Sequence, residues 1–131
     1  MASAFFAALT AIFAKVGIKG VDTDLATAIR TVVILLLAWS IAVFRGGTAT
    51  MNTLSRQNII FICLSGVATG LSWIFYFKAL QTGKVSQVAP VDKLSVAIAI
   101  VLSVVFLGEP LTLKTAVGAL LIICGTLVLI F

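Results

Sequence analysis

Apolar residues run in five long stretches along the chain, parted by short polar breaks, and the pattern predicts helices over about 3–19, 25–44, 58–81, 87–107 and 112–131. A helix needs about 20 mostly apolar residues to cross about 30 Å of hydrocarbon. The second to fifth stretches reach that length. The first, "ASAFFAALTAIFA" ahead of Lys15, is short. It reads as a tilted or thinned span, or as a span lacking upstream residues. A cleaved signal peptide is the competing reading, but no basic segment precedes the stretch and no cleavage-like site follows Lys15. The expected fold is an all-α membrane protein, a bundle of five transmembrane helices filling residues 1–131 as one domain.

The breaks carry turn chemistry. "GVDTD" (20–24), "TGKVS" (82–86) and "GEPLT" (108–112) are tight, and "RGGTATMNTLSRQN" (45–58) is the one long loop. No extramembrane domain fits between the stretches, so any chemistry is expected within the bilayer. Five spans put the termini on opposite sides. Arg45, Arg56 and Lys114 flank spans on the N-terminal side, and Lys19 and Lys84 do so on the other. Three against two is a small bias, which mildly favours the N-terminal side in the cytoplasm and also permits insertion in both orientations.

Charges inside the apolar stretches are the candidate chemistry, because polar groups at that depth usually face a bundle interior or a water-filled cavity. Lys15, Arg30, Lys78, Asp92 and Lys93 all fall within about two helical turns of the same membrane boundary, opposite the N-terminal side. At 100° per residue, Asp92, Ser95, Ala99 and Ser103 share one face of the fourth helix. Gly66, Thr69, Gly70, Trp73, Tyr76 and Phe77 share a face of the third. The Gly66-x-x-x-Gly70 spacing allows close helix approach, and Trp73 and Tyr76 project just beyond it.

Each of these residues has a structural reading beside the functional one. Asp92 reads as half of a salt bridge with Arg30 or Lys93, or as a coupling carboxylate. Arg30 reads as a snorkelling cation in that bridge, or as the counter-charge of a substrate. Lys15 and Lys93 read as interfacial anchors or as ligands, and Trp73 and Tyr76 as aromatic belt or cavity lining. Lys78 points away from the aromatic face and snorkels to the headgroups. Trp39 reads as belt, and Glu109, between Gly108 and Pro110, as a charge stabilising the N-terminus of the fifth helix.

Composition agrees with the membrane reading. Of 131 residues, 62% are hydrophobic and 10% charged, and the mean hydropathy is +1.28. A soluble domain carries about 25% charged residues, and a small one exposes much of its chain. The net charge of +5 is accounted for by basic flanks of spans, with no basic run resembling a nucleic-acid surface. Cys63 and Cys124 both lie inside spans at different depths, so a disulfide between them is not expected. The sequence has no His and no C-x-x-C, which leaves no ligand set for zinc or an iron–sulfur cluster and no Ser-His-Asp triad. "RGG" (45–47) lacks the spacing of a phosphate-binding loop. No catalytic residue, metal or cofactor is expected.

The segment "VVFLGEPLTLKTAVGALLIICGTLVLIF" resembles the close of an EamA-like unit of the drug/metabolite transporter superfamily. Such units end in a span, a Leu-Gly-Glu turn and a last span with two glycines seven apart, here Leu107-Gly108-Glu109, Gly118 and Gly125. "WIFYFKALQTGKVSQVAPVDKLS" is similar in its Tyr/Phe-x-x-Ala-Leu and in its Ala-Pro before a polar position. "FAALTAIFAKVGIKGVDTDLATAIRTVV" resembles the first hairpin, in which an Arg follows the turn. The resemblance runs over essentially the whole chain and rests on the order and spacing of these motifs.

The resemblance implies a secondary transporter, since the better-known members mostly export small metabolites such as amino acids. Those members carry two five-helix units in inverted orientation, whereas this chain has one unit and a short first span. Alternating access rocks one inverted repeat against another, so a homodimer is expected, and antiparallel pairing would regenerate the inverted symmetry. The expected partners are a small-molecule substrate such as an amino acid or organic acid, the lipid bilayer and a second copy, and no nucleic acid. The expected location is a bacterial or archaeal cell membrane. Candidate substrate or coupling residues are Lys15, Arg30, Trp73, Tyr76, Asp92, Lys93 and Ser95. Gly66, Gly70, Gly118 and Gly125 are expected at close helix contacts. The alternative is a small membrane subunit or assembly partner with no pathway of its own.

Overall fold

The computed structural model describes residues 1–131, the side chain of Asn52 apart. It is all-α, with no strand among the described residues. The helices are α1 (Ala2–Gly17), α2 (Thr23–Phe44), α3 (Arg56–Thr82), α4 (Val85–Asp92), α5 (Leu94–Leu107) and α6 (Leu113–Ile130). A 3₁₀ helix, Gly47–Thr53, occupies the long loop. Thr23–Phe44, Arg56–Thr82, the α4–α5 stretch Val85–Leu107 and Leu113–Ile130 are each long and apolar enough to cross a membrane, and α1 is a shorter apolar helix. With α4 and α5 counted as one interrupted span, this is the five-helix membrane architecture.

Local sequence sets the ends. Asp22 caps α2 by accepting hydrogen bonds from the amides of Asp24 and Leu25, both at 3.0 Å. Ser55 does the same for α3 through the amide of Asn58, at 3.1 Å. α5 stops at Gly108, whose φ of 66° is the left-handed conformation glycine adopts without strain. The amide of Glu109 then donates to the carbonyl of Ser103 at 3.3 Å. Thr112 caps α6 through the amide of Thr115 at 3.2 Å. Thr112 therefore holds the capping position, and Glu109 lies three residues before it, outside the hydrogen-bonded cap.

The fourth span is broken where its charges sit. Pro90 has no N–H to give the carbonyl one turn earlier, and the chain tightens past it. The amide of Lys93 donates to Pro90 O and that of Val96 to Lys93 O, each at 3.0 Å and each three residues back. These are 3₁₀ steps, and they separate α4 from α5 at Lys93.

The chain divides into two compact units, residues 1–13 with 82–131, and residues 14–81. In the first, α6 packs against both α4 and α5. Thr126, buried, donates to Pro90 O at 3.3 Å across that contact, and also to Ile122 O at 2.8 Å. In the second, the 3₁₀ helix folds back on α2. Phe77 and Leu80 of α3 are fully buried, as are Thr23 and Thr27 of α2 to within a few per cent. The hydroxyls of Thr27 and Thr31 donate to carbonyls one turn back, Thr23 O and Thr27 O, at 2.8 Å.

Candidate functional site

The charged residues of the apolar spans find different partners. In the unit 14–81, the Arg30 guanidinium lies over the ring of Trp73 at 4.4 Å and over that of Phe77 at 5.0 Å. Trp73 and Phe77 are one helical turn apart on α3, so both rings present to one side. Tyr76 is half-buried beside them, its ring 6.1 Å from that of Phe77. Arg30 stands seven residues into α2, about 10 Å along the axis at 1.5 Å per residue. No carboxylate or carbonyl among the described residues accepts a hydrogen bond from it. Phe77 is the site residue that sequence reasoning left unassigned. Its i, i+4 spacing from Trp73 on the shared face is the signal that finds it.

Lys15 serves another purpose. Its ammonium donates to Leu80 O and, at 3.5 Å, to Gln81 O. These are carbonyls of the last turn of α3, where intrahelical donors run out and the helix dipole is negative. The Gln81 amide reinforces the same end by donating to Val21 O at 3.0 Å. Lys15 is therefore a helix cap, a role outside the two readings of anchor and ligand.

In the other unit, Asp92 pairs with its neighbour Lys93 at 3.2 Å. Of the two partners the sequence offers Asp92, Lys93 makes the ion pair, while Arg30 meets aromatic rings. Both side chains keep access to the surroundings, Lys93 more than Asp92. Ser95 is exposed. The buried position of α5 is Ala97, two residues on and so on the opposite side of the helix. The stripe Asp92, Ser95, Ala99 and Ser103 is therefore not the packed face of α5.

The four glycines meet no close contact within the single chain. A Cβ placed at Gly66, Gly70, Gly118 or Gly125 would meet nothing within 4 Å. Close contacts at these positions are not made within the chain, and the small faces of α3 and α6 are left uncovered. The groove between α5 and α6, about 540 Å³ and lined by Ala97, Val101, Ala119, Leu120 and other apolar residues, offers no polar group. It lacks the convergent polar atoms that fix a metabolite. Among the described residues no cluster of acidic, His or Cys side chains is placed to hold a metal.

A chain built almost wholly of apolar helices long enough to cross a bilayer has the form of an integral membrane protein. The sequence matches the EamA-like transporter family over residues 1–131. A Sinorhizobium protein described as an uncharacterized transporter is 46% identical over 127 residues, covering 97% of this chain and 90% of that protein. An uncharacterized protein of Methanocaldococcus jannaschii is 35% identical over 74 residues, 56% of this chain and 54% of its own length. An uncharacterized transporter of Bacillus subtilis is 39% identical over 66 residues, which are 50% of this chain and 21% of that protein. No solved structure matches the chain. The chain belongs to the EamA-like transporter family and is an integral membrane protein. Its family and the names of its relatives point to a transporter rather than an enzyme.

Proposed function

We propose that the chain is a secondary transporter, acting as an exporter, for a small organic metabolite of the amino-acid or organic-acid class, in a bacterial or archaeal cell membrane. The observation that carries this reading is Arg30, a cation about 10 Å along an apolar span that lies over two aromatic rings, with no hydrogen-bond acceptor among the described residues. Charges inside membrane spans usually mark substrate or ion pathways, which supports a role for Arg30 toward the cargo. One five-helix unit supplies half of a rocking pair, so two copies work together, antiparallel in orientation. The open glycine faces of α3 and α6 support contact with a second copy.

The test is substrate flux in liposomes that contain only this chain, with a panel of amino acids and organic acids. Saturable, Arg30-dependent movement of a panel member is expected. Absence of flux for every member, with cross-linked dimers present, would overturn the reading in favour of a subunit without its own pathway.

A further inference from the structure

Past the first turn of each helix, the charges in the apolar stretches of residues 14–81 are all cations: Lys15, Arg30 and Lys78. Lys15 is engaged at the end of α3. Asp22 and Asp24 lie at the head of α2, and Asp22 is occupied by two backbone amides. Arg30 is left with rings alone. Ring faces attract a guanidinium, but they give its five N–H donors no acceptor. Those donors form a planar fork whose geometry matches a carboxylate in bidentate fashion. Asp92, in the other unit, is paired with Lys93 at 3.2 Å, and Asp24 sits in the first turn of α2, toward its end rather than beside Arg30.

We propose that Arg30, held over Trp73 and Phe77, is the anchor for the carboxylate of an organic monoanion whose uncharged, ring-bearing body lies on the aromatic side chains of α3. The preference is for a monocarboxylate over a zwitterion and over an amine. It rests on the transport reading only in taking that anion to be the cargo, because the binding step needs no pathway. The rings supply the apolar surface: Trp73 and Tyr76 are half-buried and Phe77 wholly so, and flat π-faces take a flat apolar body by stacking. A zwitterion would bring its ammonium close to the Arg30 guanidinium, at a Coulombic cost that low dielectric enlarges.

The chain has two tryptophans, Trp39 and Trp73. In a Trp39→Phe background, Trp73 emission reports on the site itself. The purified full chain in nanodiscs is titrated with phenylacetate, phenylacetamide, phenethylamine, phenylalanine and acetate. Phenylacetate is expected to change the emission saturably, and phenylalanine and acetate to bind at least about tenfold more weakly, a difference of about 1.4 kcal/mol. The amide and the amine are expected to leave the emission unchanged. Arg30→Gln is expected to abolish the phenylacetate response, and Arg30→Lys to weaken it about tenfold, since an ammonium keeps the charge and loses the fork.

An amide or amine response equal to that of phenylacetate overturns the proposal on the parent protein alone, whether or not the Arg30 variants fold. So does a full phenylacetate response in a folded Arg30→Gln. Equal affinity for acetate removes the role of the rings. Flux in liposomes separates the two readings. Binding without flux defeats the transport reading and leaves the carboxylate site standing. Flux with no preference for carboxylates defeats the site and leaves transport standing.

Discussion

A guanidinium at membrane depth costs about 2.5–3.5 kcal/mol at a helix centre on insertion scales. Cation–π contacts return about 0.5–2 kcal/mol each. Trp73 and Phe77 thus offset much of the cost of Arg30 but do not satisfy its donors, and the remainder falls to water or an anion. Arg30→Gln is accordingly expected to cost little stability while removing most substrate flux, read as the ratio of flux to folded protein. A loss of fold matching the loss of flux would assign Arg30 to packing instead. Lys15 gives the opposite expectation. Lys15→Met removes a cation from the C-terminus of α3 and is expected to destabilise by about 1 kcal/mol, with Lys15→Arg restoring most of it. Thermal unfolding of the two variants checks this, and equal stability of Lys15→Met and the parent would refute the capping role. The charged positions themselves were legible in the sequence, because they interrupt apolar runs. Their partners were not. Leu80 and Gln81 take part through backbone carbonyls, which no side-chain pattern reveals, whereas Phe77 shared a face with Trp73 in the sequence and lacked only an assigned role.

Helices were the most legible level, since about 20 apolar residues in a row leave the backbone no alternative inside a bilayer. The break in the fourth span was only partly legible. Pro90 marks where a hydrogen bond is lost, yet the separation falls three residues later, at Lys93, because the chain recovers through two 3₁₀ steps. The packed face of α5 was not legible for a related reason. A small and polar stripe suggests an inward face, but helices pack in membranes wherever shapes fit, and Ala97 sits at that contact. Thr126 links α6 to the broken region through Pro90 O at 3.3 Å. Its hydroxyl proton also serves Ile122 O, so the cross-helix share is small. Thr126→Val is expected to cost no more than about 0.6 kcal/mol, the average for hydrogen bonds between membrane helices. Pro90→Ala restores an amide to α4 and removes the ring clash. It is expected to raise thermal stability and to slow flux, by straightening a segment that carries Asp92 and Lys93. Faster flux together with higher stability would show that the break has no part in transport.

The whole chain leaves large apolar side chains open all along its spans, such as Leu36 (63% exposed), Ile62 (61%), Val105 (68%) and Leu121 (68%). Lipid covers most of this surface, but lipid gains nothing special from a glycine face, whereas a second helix can approach it closely. Gly66→Leu and Gly70→Leu therefore separate folding from assembly. Each side chain would enter open space, so helical content is expected to persist while cross-linked dimer falls. If the dimer survives both changes, the contact lies on another face. Orientation follows from charge. Antiparallel pairing needs both insertions to occur in one membrane, and the flanking count of Arg45, Arg56 and Lys114 against Lys19 and Lys84 permits it. Lys84 caps α4 from outside the span, so two or three lysines added beside it load one side without disturbing a helix. Such a variant is expected to insert in a single orientation and, on its own, to lose flux. Co-expression with a variant biased the other way is expected to restore flux, because each then supplies the inverted partner. Accessibility of cysteines engineered at the two termini reads the orientation directly in cells. A parent protein that shows one orientation only would exclude antiparallel pairing of the chain with itself.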